Sequence, residues 1–144
     1  MVNESSSAGV VLLADDSDDE VLLFKRAFNR AEISNPLQVV SGGSEAIAYL
    51  NGEGKFADRT AYPLPRVLVL DVKMPGIDGL QVLQWVREQS PVKELPVVML
   101  TNFDDVHAAK RANDLRVNSY IIKARDSGGF LSQLQDIKER WLRA

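Results

Sequence analysis

Five polar side chains stand where apolar runs stop. VVLLA (10–14) runs into Asp15 and Asp16, RVLVL (66–70) into Asp71, PVVML (96–100) into Thr101, and SYII (119–122) into Lys123. If these strand ends converge, their side chains form one polar constellation. Three carboxylates held together repel: two unit charges about 4 Å apart cost roughly 4 kcal/mol at an effective dielectric near 20. Such a cluster holds a cation or raises the pKa of one member. Magnesium suits it, being a hard ion that takes few carboxylates and keeps waters a phosphate can replace. A metal, a carboxylate nucleophile, a hydroxyl and an ammonium together make a phosphoryl-transfer site, whose chemistry rests on position and charge stabilisation.

The elements that must position these groups are legible from periodicity. LQVV (37–40) is a further apolar run, and several of the runs are continuous, as in strands covered on both faces. Helical spacing fills the gaps. Ser17-Asp18-Asp19-Glu20 has the form of a capping box, and Val21, Phe24, Phe28 and Ala31 then share one helix face. Phe130, Leu134, Ile137 and Trp141 do the same near the end of the chain. Gly52 reads as a helix stop, and Pro91 and Pro96 bracket the exit from a third helix, off whose apolar face Trp85 falls. A fourth helix over 104–115 offers mainly Ala108, Ala109, Ala112 and Leu115 for packing. The long connection 52–65 is read as a surface loop.

Strand and helix thus alternate along the chain, which predicts an open parallel α/β sheet with helices on both faces. In such sheets ligands bind beyond the carboxyl ends of the strands, where strand order reverses. The pattern alone leaves the order open. An order of 2-1-3-4-5, taken by analogy, puts the first and third strands side by side and brings Asp15, Asp16 and Asp71 into one crevice.

Composition narrows the function classes. The chain has 144 residues, about one domain, with 45% hydrophobic and 26% charged side chains. Its net charge of -3 argues against a nucleic-acid binder. There is no cysteine, hence no disulfide or thiolate metal site, and one histidine, His107, makes zinc a poor fit. No apolar run approaches a membrane span, and MVNESSSAG lacks the features of a signal peptide. The expectation is a cytoplasmic chain with a disordered leader (1–9) and one domain (10–144).

Each residue alone also has a plainer reading. Asp15 and Asp16 suit the start of a helix, and Asp71 suits a turn before Pro75-Gly76. Thr101 is an ordinary strand residue, Lys123 a snorkelling surface lysine, and Tyr120 core filler. Asp78 reads as a helix cap and His107 as a solvent-facing side chain. The plainer readings weaken once the types recur in order at successive strand ends.

LLADDS (12–17), VLVLDVKMPGIDG (67–79), VVMLT (97–101) and SYIIK (119–123), in this order, resemble the receiver domain of two-component response regulators. The resemblance spans nearly the whole chain. The long 52–65 loop and the closing ERWL also resemble short single-domain receivers that work with phytochrome-type sensor histidine kinases. What this implies is a flavodoxin-like doubly wound fold with about five helices. Asp71 would accept a phosphoryl group from a kinase phosphohistidine or a phosphotransfer protein. Asp16, Asp71 and the backbone carbonyl of Lys73 would bind Mg2+ directly, with Asp15 acting largely through water. Lys123 would contact the acyl phosphate, Thr101 would swing toward it, and Tyr120 would change rotamer. A downstream protein partner would read the changed surface on the fourth helix, fifth strand and fifth helix, and the last helix would offer a homodimer contact.

Three positions depart from the family pattern. Ala124 replaces the proline that usually follows the lysine, which predicts a trans Lys123–Ala124 bond and a rearranged 124–128 loop. Asn102 replaces a small residue, and either crowds the phosphoryl path or donates a hydrogen bond to it. Lys73 puts a flexible cation at the pocket mouth. Two other functions stay open: a degenerate receiver used as a constitutive docking surface, and a magnesium-dependent phosphatase with an aspartate nucleophile. Haloacid-dehalogenase-like phosphatases need an acid where Lys73 stands, which disfavours sustained turnover.

Overall fold

A computed structural model describes residues 9–102 and 104–142. The leader expected over 1–9 lies, apart from Gly9, outside the described residues. Strands β1 (Val10–Ala14), β2 (Leu37–Val40), β3 (Pro65–Leu70), β4 (Val97–Thr101) and β5 (Ser119–Ile122) alternate with helices α1 (Asp18–Arg30), α2 (Gly43–Asn51), α3 (Gly79–Glu88), α4 (Val106–Asp114) and α5 (Ser127–Ile137). The strands form one parallel sheet in the order β2-β1-β3-β4-β5. This is the flavodoxin-like arrangement expected from the sequence, and it places the reversal of strand order between β1 and β3.

Strand alternation sorts the continuous apolar runs into two core layers. Leu12, Leu68, Leu70 and Met99 face Leu50, Val82, Leu83 and Ala112 on α2, α3 and α4. Val11, Leu13, Val67, Val69 and Val98 face Phe24, Phe28, Leu134 and Ile137 on α1 and α5. Each of the larger side chains, fully buried, contributes about 1.5–3 kcal/mol. No described helix is long and apolar enough to cross a membrane.

The 52–65 connection is more than a surface loop. Gly52 does end α2 in the left-handed region, at φ 68°. The chain then makes a 3-10 turn over Gly54–Ala57 and buries Phe56. Phe56 and Tyr62 pack on Tyr49 with ring centroids 5.0 and 5.9 Å away. Arg59 donates to the carbonyls of Tyr49 (2.8 Å) and Leu50 (3.0 Å), satisfying acceptors at the end of α2. Polar composition hid this because two aromatic residues six apart in a loop carry no period.

Tyr49 is buried and donates its hydroxyl to the Pro63 carbonyl at 2.8 Å. Burial pushes its pKa up to about 12. A phenol whose folded-state pKa is raised contributes stability that is whole below its unfolded value near 10 and is lost as pH rises through 12. The decline is about 1.4 kcal/mol per pH unit. Urea titrations between pH 9 and 12 are therefore expected to show wild type losing stability faster than Tyr49→Phe. Parallel declines would remove Tyr49 as the cause.

At the amino-terminal edge of the sheet, Arg87 of α3 is buried and ties three segments together. It donates to the carbonyls of Lys93 (2.9 Å), Leu95 (2.7 Å) and Arg116 (3.0 Å) and to Asn118 Oδ1 (2.9 Å).

Candidate functional site

The site residues occupy the last rungs of the ladder at the opposite, carboxyl edge. Asp15 N–H donates to the Val40 carbonyl (3.1 Å), Asp71 N–H to that of Ala14 (3.2 Å), and Lys123 N–H to that of Thr101 (2.8 Å). Their backbones are thus fixed by the sheet while their side chains project past it. Asp71 is also held from behind. The Gly79 N–H bonds the Val72 carbonyl at 2.9 Å, and a Cβ on Gly79 would lie 2.1 Å from the Asp71 carbonyl oxygen. Only glycine lets the first turn of α3 approach so closely. Asp78 caps that helix in a complete capping box with Gln81.

Asp15, Asp16 and Asp71 each offer a carboxylate oxygen within 4.8 Å of the others. Asp15 is buried, Asp71 half-buried and Asp16 exposed. Burial, reinforced by the charge of Asp71, holds the Asp15 carboxyl above its ordinary value despite the Ser17 N–H and Lys123 acting the other way. The three hard oxygen donors fit a divalent cation such as magnesium or manganese, which would relieve this repulsion.

Lys123 reaches the same crevice, with a side chain only 9% exposed. Its Nζ is 3.7 Å from Asp15 Oδ2 and hydrogen-bonds Glu20 Oε1. That contact pulls Glu20 below its ordinary pKa. The predicted capping box at the start of α1 is therefore only half made. Ser17 accepts from Glu20 N–H at 3.3 Å, but its own N–H goes to Asp15 Oδ1 at 3.0 Å. Glu20 leaves the cap because a desolvated ammonium is a stronger partner than a backbone amide that already has one.

Thr101 is buried at the end of β4. Tyr120 is half-buried, packs against the α3–α4 core layer, and has a raised pKa, from burial first and then from Asp105, Asp104 and Asp71. Lys73 is exposed at the rim of a cavity of about 580 Å³ that Asp78, Asp105 and His107 also line. His107 faces solvent, as expected.

Asn102 is exposed and engages Glu20. Its Nδ2 donates to Glu20 Oε1 at 3.1 Å. The Lys123–Ala124 bond is trans. Ala124 N–H, which a proline would lack, donates to Gln133 Oε1 at 2.9 Å, while Gln133 Nε2 donates to the Ile122 carbonyl at 2.8 Å. One α5 side chain thus holds both sides of Lys123. Glu20 and Gln133 border the site without any mark of it in the linear pattern. The Lys123 partner of Glu20 lies 103 residues away, and Glu20 carried a convincing local role; the partners of Gln133 are nearer, nine and eleven residues back, but lie outside its helix.

Fold, acidic crevice and strand-end lysine together define a doubly wound domain of the receiver type, and comparison with known proteins agrees. Residues 11–135 match the response regulator receiver domain, and the chain belongs to that family. Among its relatives is the response regulator Rcp1 of Synechocystis sp., 32% identical over 99% of this chain and 95% of Rcp1. A solved Mn2+-bound form of Rcp1 superposes with a TM-score of 0.82 at 28% identity, covering 94% of this chain and 96% of Rcp1. The response regulator RPA3017 in red light signalling of R. palustris superposes at 0.87, with 30% identity and 94% of each chain covered. The phosphorylated cyanobacterial phytochrome response regulator RcpA superposes at 0.84, with 28% identity over 93% of this chain and 94% of RcpA. The protein is accordingly a two-component receiver similar to phytochrome response regulators.

Proposed function

We propose that Asp71 is the phosphoacceptor of a magnesium-dependent phosphorelay. Convergence of the Asp15, Asp16 and Asp71 carboxylates at the switch point carries this reading. A phosphohistidine P–N bond breaks, an Asp71 carboxylate oxygen forms the new P–O bond, and the imidazole leaves neutral after gaining a proton. Asp16, Asp71 and the Lys73 carbonyl would hold magnesium, which would supply charge neutralisation on the phosphoryl oxygens. Asp15, already engaged with Ser17 N–H and near Lys123, acts through water. Lys123 takes one phosphoryl oxygen and Thr101 another. Tyr120 then repacks, which changes the α4–β5–α5 surface presented to a downstream protein partner, and α5 offers a homodimer contact. The donor is a sensor histidine kinase, of the phytochrome type by analogy with RcpA and RPA3017, or a phosphotransfer protein. We assign the chain to the cytoplasm as a single receiver domain over 10–144, with at most slow self-dephosphorylation.

Intact mass after incubation with acetyl phosphate and magnesium tests this. One labile phosphoryl group is expected, absent without metal. A protein that binds magnesium yet gains no mass would instead favour the constitutive docking surface. The exposed Lys73 stem shields the acyl phosphate from water in this reading. Lys73→Ala is expected to shorten the acyl-phosphate lifetime about threefold, equivalent to about 0.7 kcal/mol in the barrier. An unchanged dephosphorylation rate would refute the shielding.

A further inference from the structure

Lys123 stands in an ion pair that the proposed chemistry must break. Its ammonium, nearly excluded from water, needs a countercharge at all times. Glu20 supplies the direct hydrogen bond and Asp15 the second, longer contact, whereas Asp71 is not among its ion-pair partners. Glu20 belongs to the first turn of α1, where a Ser-x-x-Glu pattern ordinarily folds the glutamate back onto its own cap. Here it reaches across the crevice instead, and Asn102 grips the same carboxylate oxygen.

Resting on the assignment of Asp71 as acceptor, we propose that Glu20 is a positioning residue that occupies Lys123 in the unphosphorylated state. The lysine exchanges this carboxylate for a phosphoryl oxygen when Asp71 is modified. The two carboxylates on Lys123 are not equivalent. Asp15 is buried and bonded to Ser17 N–H, so it cannot leave, while the Glu20 side chain is 27% exposed. Once released, Glu20 keeps its Asn102 donor. It also faces a groove of about 480 Å³ that Arg26, Arg30 and Arg125 line. The exchange therefore strands no charge. Asn102 thereby gains a role: it stations the competing carboxylate.

Competition has a sign that a merely structural role lacks. Removing the competitor strengthens phosphoryl binding, whereas loosening a structural support weakens it. The test uses the full chain as wild type, Glu20→Gln and Asp19→Asn. The last removes an exposed acid from the same helical turn without touching Lys123. The measurements are the calorimetric affinity for beryllofluoride with magnesium and the rate of acyl-phosphate formation from acetyl phosphate. Glu20→Gln is expected to gain about fivefold in both, at the lower end of ordinary coupling energies, and Asp19→Asn less than about twofold. Equal gains in the two substituted proteins, or a loss in Glu20→Gln, would overturn the exchange while leaving the acceptor assignment intact. A wild type that takes neither beryllofluoride nor a phosphoryl group would overturn the acceptor assignment and the exchange together.

Discussion

Asp71→Asn is expected to lower acyl-phosphate formation by about 100-fold or more while raising the melting temperature of the metal-free protein. The first effect follows from the loss of the nucleophile. An amide oxygen is a poor nucleophile and cannot form the acyl phosphate, and removing a nucleophile forfeits nearly the whole rate gain of its site. The second follows from repulsion. Two carboxylates with oxygens within 4.8 Å of Asp71 no longer face a third charge. At an effective dielectric near 20 one such pair 4.8 Å apart costs about 3.5 kcal/mol. The exposure of Asp16 to solvent brings the net gain down to about 1 kcal/mol, or about 4 °C. Magnesium should then stabilise wild type far more than it stabilises Asp71→Asn, since binding to the folded state adds stability that grows with the logarithm of ligand concentration over Kd. Thermal scans with and without magnesium, paired with intact mass, read all three quantities. An Asp71→Asn protein that still gains the phosphoryl group would place the acceptor elsewhere, and an unchanged metal-free melting point would show that the cluster is not strained.

Arg87→Met is expected to cost about 3 kcal/mol, near 10 °C in melting temperature. Arg87 is 8% exposed, and its guanidinium is satisfied by neutral oxygens from the loop after α3, from Leu95 ahead of β4, and from Arg116 and Asn118 ahead of β5. Burial, then neighbouring Arg116, lowers its pKa from the ordinary arginine value, so the fold bears a desolvation cost that these bonds offset. Methionine fills similar volume but leaves the Leu95, Lys93 and Arg116 carbonyls without that donor, each worth about 1–3 kcal/mol where buried. Asn118 Oδ1 retains Val97 N–H at 2.8 Å, so that acceptor adds little to the loss. Arg87→Lys should recover less than half, because one ammonium cannot span acceptors arranged for a planar fork. Urea unfolding measures both substitutions, and a loss below about 1 kcal/mol for Arg87→Met would show that water replaces the guanidinium.

These two residues mark how far the sequence could be read. Asp71, Asp15, Asp16, Thr101 and Lys123 were legible because each ends an apolar run, and a strand end is a property of local pattern. The two-layer core was legible for the same reason: period 2 in strands and 3.6 in helices already state which side chains turn inward. Arg87 was not. In the sequence it is one basic residue near a helix end, and its acceptors come from loops that only the packed sheet brings together. Phe56 and Tyr62 were likewise lost in a polar stretch until Tyr49 supplied the surface they cover.

The carboxylates at strand ends are thus consequences of pattern; the strand order came by analogy, and with it the expectation that the three acids share one crevice. The partner of each charge follows from neither. Glu20 had a satisfactory local role in the cap of α1, and local reasoning stops once a role is filled. Tertiary structure placed a desolvated ammonium within reach, and a charge-assisted contact outweighs a single backbone hydrogen bond. Asn102 and Ala124 were visible in the sequence as departures, but what each departure does depended on Glu20, 82 residues from Asn102, and on Gln133 of the following helix α5. Residue types and their order determined which chemistry the crevice can perform. Long-range packing alone decided which carboxylate each cation meets, because that choice depends on distances and desolvation that a linear pattern does not contain.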